Sequence, residues 1–411
     1  MKITTKISSP GLGFLASVGI LLIASSPAFA EKEVYLHQIQ RIGGVVFSAA
    51  DGRNFLVGSD FGALSVAPDG RVTRLSKDAG FLTELIAHPR QTDVLFSSGY
   101  RSKTEKLGVI RSDDAGRTWS RISDGAGGPV AFHAMAISAI EPSIIYGAGK
   151  TVQISRDGGK NWRAMGRPPG QIYGIALSTK NPKSLYAATH EGLFGSMDEG
   201  ATWTRINPVT RPATAVTMTS NGQIYAFVYG VGLLVGSEPG TNWNLVSKDF
   251  QDRALINISV DTTNPTRLLG VADTGAVMLS RDGGKNWISF EGQLDRAPQR
   301  ISAGEALFNE NCQACHGAKG IGEKPDDPRA VDENGFPLAP ALNDDAHGWH
   351  HGDDQLMATI LNGSPRNKRM AAWKDGGMTS EDARNLVAYI KSLWNFRSLA
   401  CQGGRHMRCM H

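Results

Sequence analysis

The chain has 411 residues, 20% of them charged, with a formal net charge of +4. That length exceeds a single ordinary hydrophobic core, so two domains are expected, and the composition does not suggest disorder. The near-neutral balance gives no reason to expect binding to nucleic acid or to an anionic membrane surface.

The first 30 residues carry Lys2 and Lys6, an apolar run from Phe14 to Ala24, and the small-residue pattern Ala28-Phe29-Ala30. That order is the signature of a signal peptide cut before Glu31; an uncleaved membrane anchor is the alternative. The apolar run is shorter than the ~20 residues of a bilayer crossing. No later segment could span a membrane, so the mature protein is expected in the periplasm without a membrane span. Loss of Lys2 and Lys6 lowers the formal charge from +4 to +2.

Residues 31–294 are organised by an internal repeat. It runs Ser112 to Trp119, Ser155 to Trp162 (SRDGGKNW), Ser196 to Trp203, a shortened Ser237 to Trp243, and Ser280 to Trp287, with starts 43, 41, 41 and 43 residues apart. Two short β-rich runs precede each motif and a third follows, which with the run entering the motif gives four strands per period. Four strands in about 40–45 residues is the blade of a β-propeller. A degenerate unit from Gly44 to Leu75, with Asp69-Gly70 at its turn, brings the expectation to six blades, and Val34 to Gln38 is a candidate closing strand. Within each motif the Asp (Asp114, Asp157, Asp198, Asp282) can accept backbone N–H bonds across the turn. The Gly can take the positive φ that the turn requires, and the Trp can cover the next strand.

These boxes resemble those of the Asp-box (BNR/sialidase-like, photosystem-assembly-factor-like) propellers over roughly residues 40–290. The resemblance implies fold and says little of function, because Asp boxes in that family lie on the rim away from the ligand. The Arg-Ile-Pro signature of a sialidase is missing near the N-terminus, so glycoside hydrolysis stands only as an analogy of fold.

Beyond Trp287 the strand pattern stops. Asp295 to Arg300 reads as a linker, and Ser302 to Phe308 begins a helix leading into Cys312-Gln313-Ala314-Cys315-His316. Two thiols at this spacing reach the two vinyl-derived positions on one porphyrin edge, and the adjacent His then points at the iron. A zinc site would need two more ligands at matching spacing, and a redox dithiol does not require the His. One covalent haem c is therefore the expected cofactor, and its two propionates would bring the net charge close to zero. A six-coordinate electron carrier needs a second axial ligand, and Met370 and Met378 both stand before the final helix.

Residues 300–397 resemble a class I cytochrome c domain: Gly317 follows the His, Pro340-Ala341-Leu342 fits the family's P-x-L, Met370-Ala371-Ala372-Trp373 its M-P-x-W, and Leu386 to Leu393 its closing helix. The resemblance implies Met370 as the axial ligand, with Met378 as the alternative. Ala371 stands where the family has proline, which removes a stiffener from the ligand loop. Thr379 and Asp382 should cap the last helix, whose stripe Leu386, Tyr389, Ile390, Leu393 and Trp394 should pack on the first. Arg366, Lys368 and Arg369 form either a solvated loop or a docking surface for an acidic redox partner.

Two clusters stand apart from this frame. His347-Gly348-Trp349-His350-His351 can bond a propionate, cap the helix from Asp353 to Leu361, or hold a second metal. The tail 398–411 gathers Cys401, His406, Met407, Cys409, Met410 and His411, a set suited either to a soft ion such as Cu(I) or to a Cys401–Cys409 disulfide. The fold class expected is an all-β six-bladed propeller followed by a small all-α cytochrome c domain. The function expected is one-electron transfer to or from a periplasmic redox partner protein, with the propeller binding a partner or substrate and no catalytic residue assigned. The competing readings are an oxidoreductase with its substrate site in the propeller, and a copper-handling protein.

Overall fold

In a computed structural model of the chain, residues 34–36, 39, 41–48, 54–68, 70–76, 79–240, 242–248, 250–289 and 297–409 are described. The signal-peptide segment and Asp69 lie outside them. Six antiparallel sheets follow one another along the chain, spanning residues 42–74, 81–123, 134–164, 172–205, 213–247 and 255–289, each with its four strands in sequence order. The six innermost strands, Ile42–Phe47, Phe81–Ala87, Ala134–Ile137, Ile172–Leu177, Ala213–Met218 and Leu255–Val260, form the ring around the axis. This is the six-bladed propeller that the repeat predicts.

The blades are joined by apolar cores lying between them. Ile144, Tyr146 and Ile154 of the third blade pack on Ile172, Ile175 and Leu177 of the fourth. Ile42, Val45 and Val57 of the first meet Leu269, Val271 and Leu279 of the sixth, and this contact closes the ring. Val34–Tyr35 pairs with Arg71 and Val72 on the outer edge of the first blade, as a fifth strand there. It therefore extends a blade instead of closing the ring, because the sixth blade already has four strands of its own.

The Asp boxes do the work read from their sequence. Asp157 Oδ1 accepts from Asn161 N at 2.9 Å, Ser155 Oγ accepts from Gly159 N at 2.9 Å, Gly159 has φ +90°, and Trp162 Nε1 donates to Gly159 O at 2.8 Å. The same bonds recur at Asp114, Asp198 and Asp282. Backbone N–H donation, first from Thr118 to Asp114 and from Asn161 to Asp157, holds both carboxyls down to about 2. In the shortened box Glu238 turns away to accept from Thr179 N at 3.0 Å, tying the fifth blade to the fourth.

Threonine hydroxyls of inner strands bond the neighbouring blade: Thr83 Oγ1 donates to Phe132 O, just before the third blade's inner strand, at 2.7 Å, and Thr214 Oγ1 to Leu255 O at 2.6 Å. Glu84 is the one acidic or basic residue on the six inner strands. Its Oε1 accepts from Leu85 N at 3.0 Å and from Asn257 Nδ2 of the sixth blade at 3.4 Å. A Cβ at residue 44 would lie 2.5 Å from that oxygen, so Gly44 is what lets the carboxyl cross the first blade.

The C-terminal part is helical: α1 Ala297–Asn311, α2 Gln313–His316, α3 Asp353–Asn362, α4 Ser380–Ser392 and α5 Phe396–Ala400. α1 begins at Ala297, inside the segment read as a linker, so Ala297 to Arg300 are helical; Asp295 and Arg296 lie outside the described residues. Thr379 and Asp382 form the reciprocal cap predicted for α4. Phe308 and Tyr389 bring α1 against α4 with ring centroids 5.1 Å apart, and Gly304 permits the crossing, since a Cβ there would sit 1.9 Å from Asn385 O.

This helical domain shares an apolar core with the fifth and sixth blades. Phe250 lies between Phe227 at 4.7 Å and Phe396 at 4.5 Å, ring centre to ring centre. Thr274 Oγ1 donates to Ala400 O at 2.5 Å, and Arg397 pairs with Asp252 at 3.1 Å.

The tail folds into the same junction. Cys401 and Cys409 form a disulfide, and both are buried. This corrects the soft-metal reading of the tail: a sulfur bonded to sulfur is not a thiolate, so two of the proposed ligands are withdrawn. His406 stacks on His350 at 4.9 Å, Met407 is exposed, and Met410 and His411 lie outside the described residues.

Candidate haem-attachment site

α1 delivers the cysteine motif to the edge of the helical core. Cys312 N donates to Phe308 O at 2.8 Å, His316 N to Cys312 O at 2.9 Å, and the chain leaves α2 through Gly317 at φ +72°. A Cβ on Gly317 would meet Gly322 O at 2.7 Å, so glycine is needed for both backbone angle and space. Gly322 N returns to His316 O at 2.7 Å, closing a tight loop under the histidine.

Cys312 and Cys315 are unpaired, the first half-buried and the second exposed. Burial, and then the neighbouring Cys315, push the Cys312 thiol up to about 11. A redox dithiol needs the opposite, a thiol depressed towards neutrality.

His316 Nδ1 lies 2.8 Å from Pro340 O. A carbonyl can only accept, so Nδ1 carries the proton and Nε2 keeps its lone pair for a metal. Burial holds the His316 pKa below its ordinary value, which favours the neutral, ligating imidazole. The Pro340 carbonyl is itself held in place: Leu342 N donates to Gly320 O at 2.7 Å, and Trp394 Nε1 of the helical core donates to Leu342 O at 2.8 Å. Cys312, Cys315 and His316 thus fit a covalently attached haem, with two thiols for its thioethers and one oriented imidazole for its iron.

The two methionines are placed differently. Met378 packs into the apolar core with Leu356, Met357 and Leu361. Met370 is half-buried on the loop between α3 and α4, its backbone N donating to Asn367 O at 3.1 Å and its O accepting from Ser364 N at 3.3 Å.

The basic run beside it is divided. Arg366 and Lys368 are exposed, whereas Arg369 Nη2 bonds Glu323 Oε1 at 2.8 Å and Nε faces Asp332 Oδ2 at 3.5 Å. Glu323 and Asp332 were not legible as site residues, being 46 and 37 positions from Arg369 in sequence with no shared periodicity.

The histidine cluster neither caps α3 nor gathers a metal set. Gly352 takes the N-cap position, and among the described residues no three His, Cys, Asp or Glu side chains come together to hold an ion. Asp353 instead receives Lys391 at 3.0 Å and Gln402 at 2.7 Å.

Residues 299–390 match the family model described as cytochrome C oxidase, cbb3-type, subunit III, and residues 153–164 match that of the BNR/Asp-box repeat. The chain is 37% identical over 100 residues to a cbb3-type cytochrome c oxidase subunit CcoP of Rubrivivax gelatinosus, covering 24% of this chain and 28% of that one. It is 24% identical over 241 residues to a xyloglucanase of Paenibacillus sp, covering 52% of this chain and 21% of the relative. A solved structure of the Niastella koreensis GH74 enzyme aligns with TM-score 0.46 at 14% identity, over 63% of this chain and 47% of that one. The chain thus spans less than a third of the length of these two curated relatives.

The fold and site together define a c-type cytochrome domain joined to an Asp-box β-propeller. The C-terminal domain is similar to the cytochrome c domain of cbb3-type subunits, and Cys312, Cys315 and His316 are residues fit to hold a covalent haem c there. Among the described residues no helix is long and apolar enough to cross a membrane.

Proposed function

We propose that this chain is an exported one-electron carrier in which His316 and Met370 hold the iron of a single haem c, while the propeller binds the redox partner or its substrate. The bond between His316 Nδ1 and Pro340 O carries the reading, because it aims Nε2 as a proximal ligand before any iron is bound. Met370 is favoured over Met378 because the latter's side chain is engaged in apolar packing. When bound, the haem supplies a one-electron couple, and a thioether ligand with an apolar surround favours its ferrous form and a moderately positive potential. Exposed Arg366 and Lys368 support an acidic docking face on a periplasmic partner protein.

Reduced-minus-oxidised spectroscopy and redox titration of the purified full chain test the ligand set. Met370→Ala should lose the sulfur-to-iron charge-transfer absorption while Met378→Ala keeps it; the reverse result overturns the assignment. Export rests on the order of charges and apolar residues before Glu31. Protein from a periplasmic fraction should begin at Glu31, and an intact Met1 in the membrane fraction would contradict it.

The alternative, an oxidoreductase with a substrate site in the propeller channel, would need several titratable groups converging there. Glu84 is the one acidic, basic or histidine side chain on the inner strands and its carboxyl is already bonded to Leu85 and Asn257, which favours a binding role for the propeller.

A further inference from the structure

Ala371 leaves the Met370 loop without the proline that its resemblance to class I cytochromes leads one to expect, and a flexible loop would let other ligands compete for the sixth position at iron. The structure puts a different constraint there. The Arg369 guanidinium reaches three acceptors on two other loop segments: Glu323 Oε1 at 2.8 Å, Asp332 Oδ2 at 3.5 Å and, through Nη1, Pro337 O at 3.5 Å. Asn367 Nδ2 donates to the same Pro337 O at 2.7 Å, and Ser364 Oγ accepts from Asn367 N at 3.2 Å. Asn367 and Arg369, both just before Met370, thus tie that side of the loop to the segment 323–337.

Glu323 extends the tie towards the other side of the site. Its Oε2 accepts from Ala339 N at 2.9 Å, and its own N donates to Ala339 O at 3.0 Å. The next residue is Pro340, whose carbonyl orients His316. The carboxylate of Glu323 therefore joins the loop that carries Met370 to the loop that holds the proximal histidine.

We propose that Arg369 is a positioning residue: through Glu323 and Asp332 it substitutes for the missing proline and keeps the Met370 loop closed against competing ligands. The proposal rests on the reading of Met370 as the axial ligand. A planar fork that spans three acceptors is a geometry that lysine, a point charge, cannot reproduce in full. Arg369, Glu323 and Asp332 are each about one-fifth to one-third exposed. The tie is accordingly of the modest strength of partly solvated ion pairs, enough to bias loop opening without governing the stability of the domain.

Imidazole titration of the haem-loaded ferric full chain reads the loop equilibrium, since apparent affinity scales with the open fraction. Arg369→Ala and Glu323→Gln should each raise imidazole affinity about 2- to 5-fold, the span that such ion pairs give. The unfolding midpoint should stay at that of the parent. The double variant should add little to either single one, Arg369→Lys should fall between, and Arg366→Ala should match the parent. Arg369→Ala at parent affinity overturns the proposal, as does an equal rise in Arg366→Ala, which would indicate loop charge in place of a tether. Met370→Ala separates the two levels: it should lose the sulfur-to-iron absorption and bind imidazole most tightly. If it keeps both parent properties, the ligand assignment itself falls; if it changes and Arg369→Ala does not, only the tether falls.

Discussion

The propeller and the haem domain solve the problem of building a core in opposite ways. In the propeller apolar clusters lie between two neighbouring blades, so the blades of the repeat supply one another with surface to bury. In the haem domain the stretch from Gly317 to Gly352 has no helix longer than three residues, and the domain's buried apolar side chains are mainly those of α4 and α5. That core merges with the fifth and sixth blades through Phe250 and Phe396. A repeat architecture can be self-sufficient, whereas a small loop-rich domain needs staples, here a haem, a disulfide and a neighbouring domain.

The contrast is broken most directly at the cysteines. Cys312→Ser with Cys315→Ser should abolish covalent haem, leaving pigment extractable by acidified solvent. Amides of residues 297–395 should lose protection against hydrogen exchange while propeller amides keep it. Protection retained in the haem-free helical domain would remove the distinction.

The next effect lies on the propeller axis. Burial pushes Glu84 up to about 8, so the folded state holds a proton that the unfolded chain releases near 4.5. The stability this contributes is fully present below 4.5, falls as pH rises, and is lost once pH passes about 8, with a span of several kcal/mol at most. Glu84→Gln should flatten the propeller's unfolding midpoint across that window and leave the haem spectrum unaltered. An unchanged pH slope in the variant would mean that another group titrates.

Cys401→Ser with Cys409→Ser opens a loop whose closure is worth ~2–3 kcal/mol by chain entropy. Because that loop bonds both domains, with Gln402 on Asp353 and Arg405 on Leu36, the loss should appear as a separate earlier transition of the haem domain in calorimetry. A single shifted transition would show that the junction survives without the disulfide. The smallest effect is local: Asp157→Ala should cost ~1–2 kcal/mol by orphaning the turn amides, with hydrogen exchange changed in the third blade and its neighbours alone.

Features set by short-range chemistry were readable from residues in order. The Asp-Gly-Trp box closes its own turn within eight positions. Thr379 and Asp382 cap α4 from three residues apart. Where a side chain had to choose between partners far along the chain, pattern reading stopped. The closing-strand role of Val34 and Tyr35 gave way to edge pairing with Arg71 and Val72, because every blade already owned four strands. The tail's sulfurs left two chemistries open until the fold brought Cys401 and Cys409 together.

From sequence alone came the number of blades and the order of the two domains, since both are encoded in local spacing and periodicity. Only the tertiary structure decided that Pro340 orients His316, that Arg369 ties the Met370 loop to Glu323, and that the C-terminal disulfide loop bridges both domains. Those contacts join residues 24, 46 and hundreds of positions apart. Long-range pairings of this kind leave no period in the chain: each depends on which surfaces meet after every local element has formed.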